Sequence, residues 1–350
     1  MAVRQHSIMT TTPDMKALLA KTVAGQCLSF AEAEAAFNLI MSGTATPAQI
    51  AAFLVSLRMR GETVDEISAA VTVIRSKALA IKAPAGAMDI VGTGGDGAHT
   101  LNISTATALV VAACGVPVAK HGNRAVSSKS GTADVQSALG ININADFALL
   151  ERALREANYC FLLAPRHHES FKHVGPVRAE LGVRTVFNLL GPLCNPAGVK
   201  RYLLGVYAKE WVRPLAEVLA RLGCESAWVV HGAGGLDELS TLGSNTVCAV
   251  KNGVVSDLVV TPEEAGLPVA TLAAIKGGDA AYNAERLRAL LDGQRDAYRD
   301  IVLFGAAAAL LIAGKVNDLR SGVAQAALAI DQGRVRQMLA TLAAITNSSN

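Results

Sequence analysis

The sequence predicts an α/β protein in which a small all-helical N-terminal domain precedes a large α/β domain with a mainly parallel central sheet. Two observations lead to this prediction. The first 80 or so residues carry helix start and stop signals with apolar residues at helical spacing, and no strand pattern interrupts them. After Pro84, short apolar runs alternate with helix-length segments, which is typical of βαβ units.

The composition indicates a well-buried chain. Of the 350 residues, 51% are hydrophobic and only 17% are Asp, Glu, Lys or Arg, which excludes a disordered chain. The net charge of +3 is too small for a polyanion-binding surface, so nucleic acid is not an expected partner. No apolar stretch is long enough to span a bilayer, and the N-terminus carries no export signal, so no membrane partner is expected. Six dispersed cysteines predict buried, reduced thiols in a cytoplasmic protein.

Helix starts are recognisable in the N-terminal segment. Ser29 and Glu32 form a capping-box pattern ahead of an apolar helical stripe. Thr46 precedes a proline, which suits an N-cap followed by the first helical residue, and a third helix starts at Thr63. We place the helical domain at residues 1–84, joined by helices from about 178–200, and the α/β catalytic domain at residues 85–350.

The α/β part is built from short strands and longer helices. Asn252 and Gly253 predict a hairpin turn between strands at residues 247–250 and 254–260. The other predicted strands cover residues 88–91, 116–120, 159–163, 202–207 and 227–231, with helices such as 104–114 and 146–157 between them.

A glycine-rich turn follows the first of these strands. Residues 92–97 read GTGGDG and lead into a helix start at Ser104, so backbone N–H groups and the helix dipole favour an anion there. A tight turn with glycines for geometry alone is the alternative. The spacing also satisfies the dinucleotide pattern G-x-G-x-x-G, but Lys120 stands where a carboxylate would bind ribose. In addition, Asp96 would repel a pyrophosphate that carries no metal.

A polar loop follows the second strand. Residues 120–134 contain three cations, four hydroxyls and two glycines, which are the donors that a pyrophosphate needs. A loop after a parallel strand lies at the carboxyl edge of the sheet, where ligands bind in open α/β folds. A solvated polar loop without a ligand is the alternative.

Further along, Asp237 and Glu238 are adjacent carboxylates. They are hard oxygen ligands that suit a water-rich magnesium site, although a surface acidic turn has the same pattern. A zinc site is not expected around residues 167–173, because the H-E-x-x-x-H spacing does not place both histidines on one helical face.

The ordered set of motifs resembles the anthranilate phosphoribosyltransferase family. The resemblance is carried by residues 92–96, 102–105, 120–132, 174–178, 180–185 and 187–196, with Asp237 and Glu238 at the family's acidic pair, and it covers nearly the whole chain. It implies a fold of the nucleoside phosphorylase/phosphoribosyltransferase type and a homodimer. It also implies Mg²⁺-dependent transfer of phosphoribose from phosphoribosyl pyrophosphate to the amine of anthranilate, a step of tryptophan biosynthesis.

The same resemblance implies the site residues. Lys120, Asp237 and Glu238 act on the leaving pyrophosphate, and Ser104, Asp237 and Glu238 hold magnesium. Gly92, Asn123 and Arg178 contact anthranilate, while His121 and His168 line its entry path. The residues implied for phosphoribosyl pyrophosphate are Gly92, Gly95, Asp96, Thr100, Asn102, Ile103, Ser104, Thr105, Lys120, His121, Gly122, Asn123, Arg124, Ala125, Val126, Ser127, Ser128 and Thr132.

Three residues depart from the family pattern, and two other functions stay open. Glu169 stands where the family usually has proline, Thr132 where serine is common, and Gly305 where asparagine is expected. The rival functions are a pyrimidine nucleoside phosphorylase of the same architecture and a non-catalytic relative that binds nucleic acid with the same basic loops.

Overall fold

The computed structural model describes residues 14–124 and 130–349 of the chain. These residues form two compact units. The first comprises the chain up to Ile74 together with Ser170–Val186, and the second comprises Arg75–Glu169 together with the chain from Phe187 onward. The boundary at residue 84 stays a prediction. In the structure, the Leu79 N–H donates to the His167 carbonyl at 2.9 Å, so hydrogen bonding within the second unit begins before residue 84.

The secondary structure alternates as the sequence suggests, and the bounds follow in chain order. The helices of the described residues are α1 Met15–Val23, α2 Phe30–Met41, α3 Pro47–Arg60, α4 Val64–Ser76, α5 Ile103–Ala113, α6 Thr132–Ala138, α7 Phe147–Glu156, α8 Ala164–His167, α9 Gly175–Leu181, α10 Phe187–Leu193, α11 Val212–Arg221, α12 Ala280–Leu291, α13 Ala297–Ile312, α14 Leu319–Asp331 and α15 Arg334–Thr346. Short 3-10 helices cover Glu169–His173, Lys209–Trp211 and Leu272–Ile275. The strands are β1 Met88–Gly92, β2 Val118–Gly122, β3 Tyr159–Leu163, β4 Arg201–Gly205, β5 Ser226–His231, β6 Asn245–Lys251 and β7 Val254–Val260.

The first unit is helical, and its helix starts are the predicted ones. The capping box of Ser29 and Glu32 forms at the start of α2, and a second box begins at Thr46 ahead of α3. These caps satisfy N–H groups that the first helical turn leaves without partners. In the core of this unit, the rings of Phe37 and Phe53 meet edge to face at 5.7 Å between centroids.

The second unit contains a seven-stranded sheet in the order β3-β2-β1-β4-β5-β6-β7. Strands β1 to β5 run parallel, whereas β6 and β7 pair antiparallel at one edge. The turn between β6 and β7 has positive φ at Asn252 (49°) and Gly253 (80°), as a two-residue hairpin turn requires. The predicted fold class, with its mainly parallel sheet and its β-ribbon, is confirmed.

Two strands are displaced along the chain from their predicted positions. Strand β2 runs two residues further than predicted, to Gly122, and β4 ends at Gly205, two residues earlier than predicted. Pro117 has no N–H to donate to a neighbouring strand, and β2 begins at the next residue, Val118. The polar character of Lys120 and His121 suggests a strand end and a loop, but both residues are buried inside β2.

The helix α13 forms the centre of the helical layer of the second unit. It packs against α5 and α14, and small residues allow a close approach. A Cβ on Gly322 of α14 would lie 2.8 Å from the Cβ of Ala307. At Gly305, one of the departures from the family pattern, a Cβ would lie 3.0 Å from the Thr107 hydroxyl, so a larger residue would require a small shift of Thr107.

The cysteines are all free thiols, and their burial differs from the prediction in two places. Cys160, Cys194, Cys224 and Cys248 are buried, but Cys114 is half-buried and Cys27 is exposed. Cys27 precedes the start of α2, outside the apolar face of a helix, so the prediction that all six are buried was wrong. Among the described residues, no helix combines the length and apolar character that crossing a membrane demands.

Candidate active site

The glycine-rich turn lies where β1 ends and α5 begins. Gly94 and Gly95 have φ values of 71° and 79°, a backbone conformation that side chains disfavour. The turn is tied to β4, because the N–H of Thr93 donates to the Gly205 carbonyl at 3.0 Å. Helix α5 starts at Ile103 immediately afterwards. Backbone donors of the turn and of the helix start therefore face the same region, as an anion site needs.

The acidic pair reaches this turn from the segment that follows β5. The Asp237 carboxylate accepts a hydrogen bond from the N–H of Gly94 at 2.6 Å, and the Glu238 carboxylate accepts one from the N–H of Ser104 at 3.0 Å. The approach is close, since a Cβ on Gly205 would lie 1.6 Å from the Asp237 carbonyl oxygen. Residues more than 130 positions apart in the sequence thus meet at one point.

Negative charge accumulates at this point. Asp96 accepts the N–H of Asp237 at 3.5 Å and the N–H of Ala98 at 3.0 Å. Burial, followed by the neighbouring charges of Glu238 and Asp96, raises the pKa of Asp237 well above its usual range. Burial also raises the pKa of Glu238 to about 7, although Lys120 opposes the shift. Carboxylates held together against their own repulsion are suited to a divalent cation.

The donor set fits magnesium better than a closed metal cage. In the described part of the chain, no three His, Cys, Asp or Glu side chains are grouped so that they could hold a metal ion among themselves. Magnesium usually keeps several waters and takes one or two carboxylates together with substrate phosphates. Asp237 and Glu238 supply that number of carboxylates, and Ser104 adjoins Glu238.

Lys120 is the buried cation beside these carboxylates. Its side chain is 2% exposed, and its ammonium donates a hydrogen bond to the Ile90 carbonyl of β1. Burial lowers the pKa of Lys120, while Asp89, Glu238 and Asp237 oppose that shift. The lysine is thus buried in the sheet, near enough to the acidic groups to interact with them electrostatically.

Two histidines form the next part of the site. The rings of His121 and His168 meet edge to face at 5.1 Å between centroids, and Nδ1 of His121 lies 3.1 Å from the Gly191 carbonyl oxygen. Burial lowers the pKa of His121 to about 3 and that of His168 to about 4, so both are neutral near pH 7. Nε2 of His121 has no hydrogen-bond partner among the described residues, which leaves one polar atom for a ligand.

The loop after β2 continues from these residues. Gly122 packs closely, since a Cβ there would lie 2.9 Å from the Phe161 ring and 3.4 Å from the Thr132 methyl group. Asn123 accepts the N–H of Arg124 at 2.8 Å, and Arg124 pairs with Asp134 at 3.3 Å on the surface. The predicted phosphate contacts Ala125, Val126, Ser127 and Ser128 lie outside the described residues.

Several predicted donors have other partners in the structure. The side-chain oxygen of Asn102 accepts a hydrogen bond from Asn283 at 2.9 Å, and Thr100 forms a backbone bridge with Lys276. The Thr105 hydroxyl is fully buried and has no hydrogen-bond partner within the described chain. The backbone N–H groups of Ile103 and Ser104 at this helix start also have partners, the Leu101 carbonyl and the Glu238 carboxylate. The predicted phosphate contacts of Asn102, Thr100 and Thr105 stay predictions.

Arg178 and Glu169 are the remaining residues that the sequence singled out. Arg178 belongs to the first unit, in α9, and burial lowers the pKa of its guanidinium. Its contact with anthranilate stays a prediction. Glu169, the departure next to His168, is exposed, so its carboxylate points to solvent.

Sequence reasoning missed two buried residues. Asp89 in β1 accepts hydrogen bonds from the His121 N–H and from the Asn195 amide. Gly205 at the end of β4 leaves room for Asp237. Asp89 could have been noticed as an aspartate within an apolar strand, whereas no nearby residue in the sequence indicates the role of Gly205.

The comparisons with known proteins agree with this geometry. The Glycosyl transferase family, helical bundle domain, matches residues 16–78, and the Glycosyl transferase family, a/b domain, matches residues 84–336. An anthranilate phosphoribosyltransferase of Rhodospirillum rubrum is 59% identical over 336 residues, covering 96% of this chain and 97% of the relative.

Solved structures show the same likeness. The anthranilate phosphoribosyltransferase of Thermus thermophilus has a TM-score of 0.90 and 44% identity, covering 95% of this chain and 99% of its own. The Saccharomyces cerevisiae enzyme in complex with PRPP and Mg has a TM-score of 0.88 and 27% identity, covering 96% of this chain and 98% of its own. With matches of this extent over both units, the chain belongs to the anthranilate phosphoribosyltransferase family.

Proposed function

We propose that the chain transfers the phosphoribosyl group of 5-phosphoribosyl 1-pyrophosphate to the amine of anthranilate, giving N-(5-phosphoribosyl)anthranilate and pyrophosphate. The observation that carries the proposal is the meeting of Asp237 and Glu238 with the glycine turn and the start of α5. Backbone donors and carboxylates at one point suit a diphosphate that arrives with a cation. The transferase name of the relatives in both comparisons supports the same reaction.

The donor is expected to lie along the glycine turn and the loop after β2. Gly95 and Ser104 are the proposed contacts on one side, with the Ser104 N–H donating to the Glu238 carboxylate in this structure, and Asn123 and Thr132 are the proposed contacts on the other. The family resemblance extends this site over residues 120–128 of the loop. Asp96 suits the ribose hydroxyls or the water shell of the cation, since a carboxylate facing bare phosphate would be repelled.

Magnesium is the expected metal ion, held by Asp237 and Glu238 with the hydroxyl of Ser104. When bound, it would neutralise negative charge on the pyrophosphate. The donors fit it, because the two buried carboxylates adjoin a third, Asp96. Burial raises the pKa values of both Asp237 and Glu238, and neighbouring negative charge raises them further, which a bound cation would counteract. The complex of the yeast relative with PRPP and Mg supports this choice.

Catalysis depends more on stabilising the leaving group than on activating the nucleophile. Breaking the bond from C1′ to pyrophosphate develops positive charge on the ribose and negative charge on the departing diphosphate. The buried ammonium of Lys120 would stabilise that negative charge, and the interaction is strong because the region contains little water. An aromatic amine is neutral near pH 7, so it requires positioning and the late loss of a proton.

For the acceptor, we propose that Arg178 binds the anthranilate carboxylate as a bidentate donor. Gly92 and Asn123 are the other proposed contacts of anthranilate. His121 and His168 would line the path. Because both histidines are neutral near pH 7, they add no charge beside the aromatic acid. We further propose a homodimer in the cytoplasm, where six free thiols would stay reduced.

The test is an assay of the purified protein with anthranilate, phosphoribosyl pyrophosphate and magnesium, followed by the loss of anthranilate fluorescence. Wild-type turnover is expected to require all three components. Asp237→Asn is expected to lower kcat at least about a hundredfold, because one metal-binding charge is lost. The control is Asp257→Asn, a surface carboxylate of β7, which is expected to keep full activity. No turnover by the wild type, or full turnover by Asp237→Asn, would contradict the proposal.

A further inference from the structure

Asp89 is a charged residue in an unusual place. It lies in β1, in the interior of the sheet, and it is 0% exposed. Burial raises the pKa of its carboxyl to about 6, although Lys120 attracts the charged form. A buried carboxylate is costly unless specific partners compensate. The residue has no part in the donor, acceptor or metal sites proposed above, so its partners should explain its presence.

Each oxygen of the Asp89 carboxylate has a specific donor. One accepts the backbone N–H of His121 in β2 at 3.2 Å, and the other accepts the side-chain amide of Asn195 at 2.7 Å. The same amide of Asn195 also donates to the carbonyl of Ala119 in β2 at 2.7 Å. Asp89 and Asn195 therefore hold β2 on both sides of Lys120.

These side-chain contacts take the place of backbone pairing between β1 and β2. Strand β1 pairs with β4 over five residues, and β2 pairs with β3 over five residues. Between β1 and β2, the described strands pair at one position, Met88 with Val118. Beyond that pair, the carboxylate of Asp89 and the ammonium of Lys120 bridge the two strands.

The opened strand ends lead directly into the two substrate loops. Strand β1 ends at Gly92, where the glycine turn begins, and β2 ends at Gly122, where the polar loop begins. The bridging residues lie two or three positions before the end of β1 and one or two positions before the end of β2. The bridge therefore fixes the separation of the two strand ends and the position of the Lys120 ammonium at the Ile90 carbonyl.

We infer that Asp89 and Asn195 are positioning residues of the transferase, which hold the end of β2 at a fixed distance from β1 and place Lys120 against the pyrophosphate. The inference rests on the proposed function, in which Lys120 faces the leaving group. Asp89 itself contacts no substrate in this scheme and acts through Lys120 and the β2 backbone.

Whether Asp89→Asn weakens or tightens the binding of pyrophosphate distinguishes a positioning role from a simple effect of charge. Asp89→Asn removes a negative charge near the pyrophosphate site, and by Coulomb's law alone this would tighten pyrophosphate binding. A positioning role predicts weaker binding instead. Both oxygens of Asp89 accept hydrogen bonds, so an amide group at this position turns one contact into a clash between two donors. Lys120 and β2 would then shift.

The experiment measures the dissociation constant of inorganic pyrophosphate in the presence of magnesium by calorimetry. Asp89→Asn and Asn195→Ala are each expected to weaken binding about tenfold, because a hydrogen bond to a charged group is lost. The matched control is Tyr202→Phe in the β4 residue that pairs with Asp89, which removes a buried hydroxyl that donates to the Val199 carbonyl and accepts from Arg75. Its binding is expected to equal that of the wild type. Urea unfolding of each variant reports any loss of stability separately.

A double-mutant cycle with Lys120→Met tests the route of the effect. If Asp89 acts through Lys120, Asp89→Asn is expected to cause little further loss once Lys120 is absent. Equal or tighter binding by Asp89→Asn, or full additivity with Lys120→Met, would overturn the inference. If Asp89→Asn does not fold, the pyrophosphate affinity of Asn195→Ala tests the inference: weaker binding supports it, and equal or tighter binding overturns it. A wild-type protein that binds no pyrophosphate would instead overturn the proposed function, and the inference with it.

Discussion

Gly205 offers a direct test of how the acidic pair is positioned. It is the last residue of β4, and a Cβ added to it would lie 1.6 Å from the carbonyl oxygen and 2.3 Å from the carbonyl carbon of Asp237. Both atoms belong to the backbone, so no side-chain rotation relieves the clash. Gly205 is not among the glycines with positive φ, and the expected effect of Gly205→Ala is therefore steric alone.

The size of the effect follows from these distances. A tolerable contact begins near 3.0 Å, so the Asp237 peptide must move by at least about 1.4 Å. Displacement of a catalytic group by about 1 Å costs about a hundredfold in rate, which corresponds to about 2.7 kcal/mol of transition-state stabilisation. Overpacking should also lower the free energy of unfolding by about 1–3 kcal/mol.

The assay compares kcat/KM from anthranilate fluorescence with urea unfolding of the same preparations. Gly232→Ala should act in the same direction, because its Cβ would lie 2.2 Å from the Glu238 carbonyl oxygen. Gly175→Ala is the control, since a Cβ at Gly175 meets nothing within 4 Å, and it should keep both rate and stability. A folded Gly205→Ala protein with kcat/KM within about threefold of the wild type would refute the reasoning, since the expected loss is about a hundredfold.

Three further predictions concern single side chains. Burial lowers the pKa of His168 to about 4, compared with about 6.5 in the unfolded chain, so the free energy of unfolding should fall by up to about 3 kcal/mol as the pH drops from about 6.5 to 4. Urea unfolding of His168→Gln should show a weaker dependence on pH, and a dependence equal to that of the wild type would contradict the prediction. Glu169→Gln should change the KM for anthranilate by less than about twofold, because solvent and salt screen an exposed charge. A larger change in the steady-state KM would place Glu169 in the path of the acceptor. Arg178→Ala should raise the KM for anthranilate more than that for phosphoribosyl pyrophosphate, and equal losses in the same assay would remove its proposed role.

Much of the fold was predictable because its signals are local. The capping boxes at Ser29 and Thr46, the glycine turn after β1 and the Asn252–Gly253 hairpin each depend on residues within a few positions of one another. Periodic apolar residues likewise indicate which segments are helices and which are strands. The displaced bounds of β2 show the limit of such signals, because Lys120 is polar and yet lies in a strand interior.

The sequence by itself determined the element types, the order of the two domain types and the presence of residue types that suit a diphosphate. Only the tertiary structure decided that Asp237 meets Gly94, that Gly205 must lack a side chain, and that Asp89 bridges β1 and β2. The physical reason is sequence separation. Local conformation depends on neighbouring residues, whereas a contact across more than a hundred residues depends on strand order, on register and on how closely backbones pack.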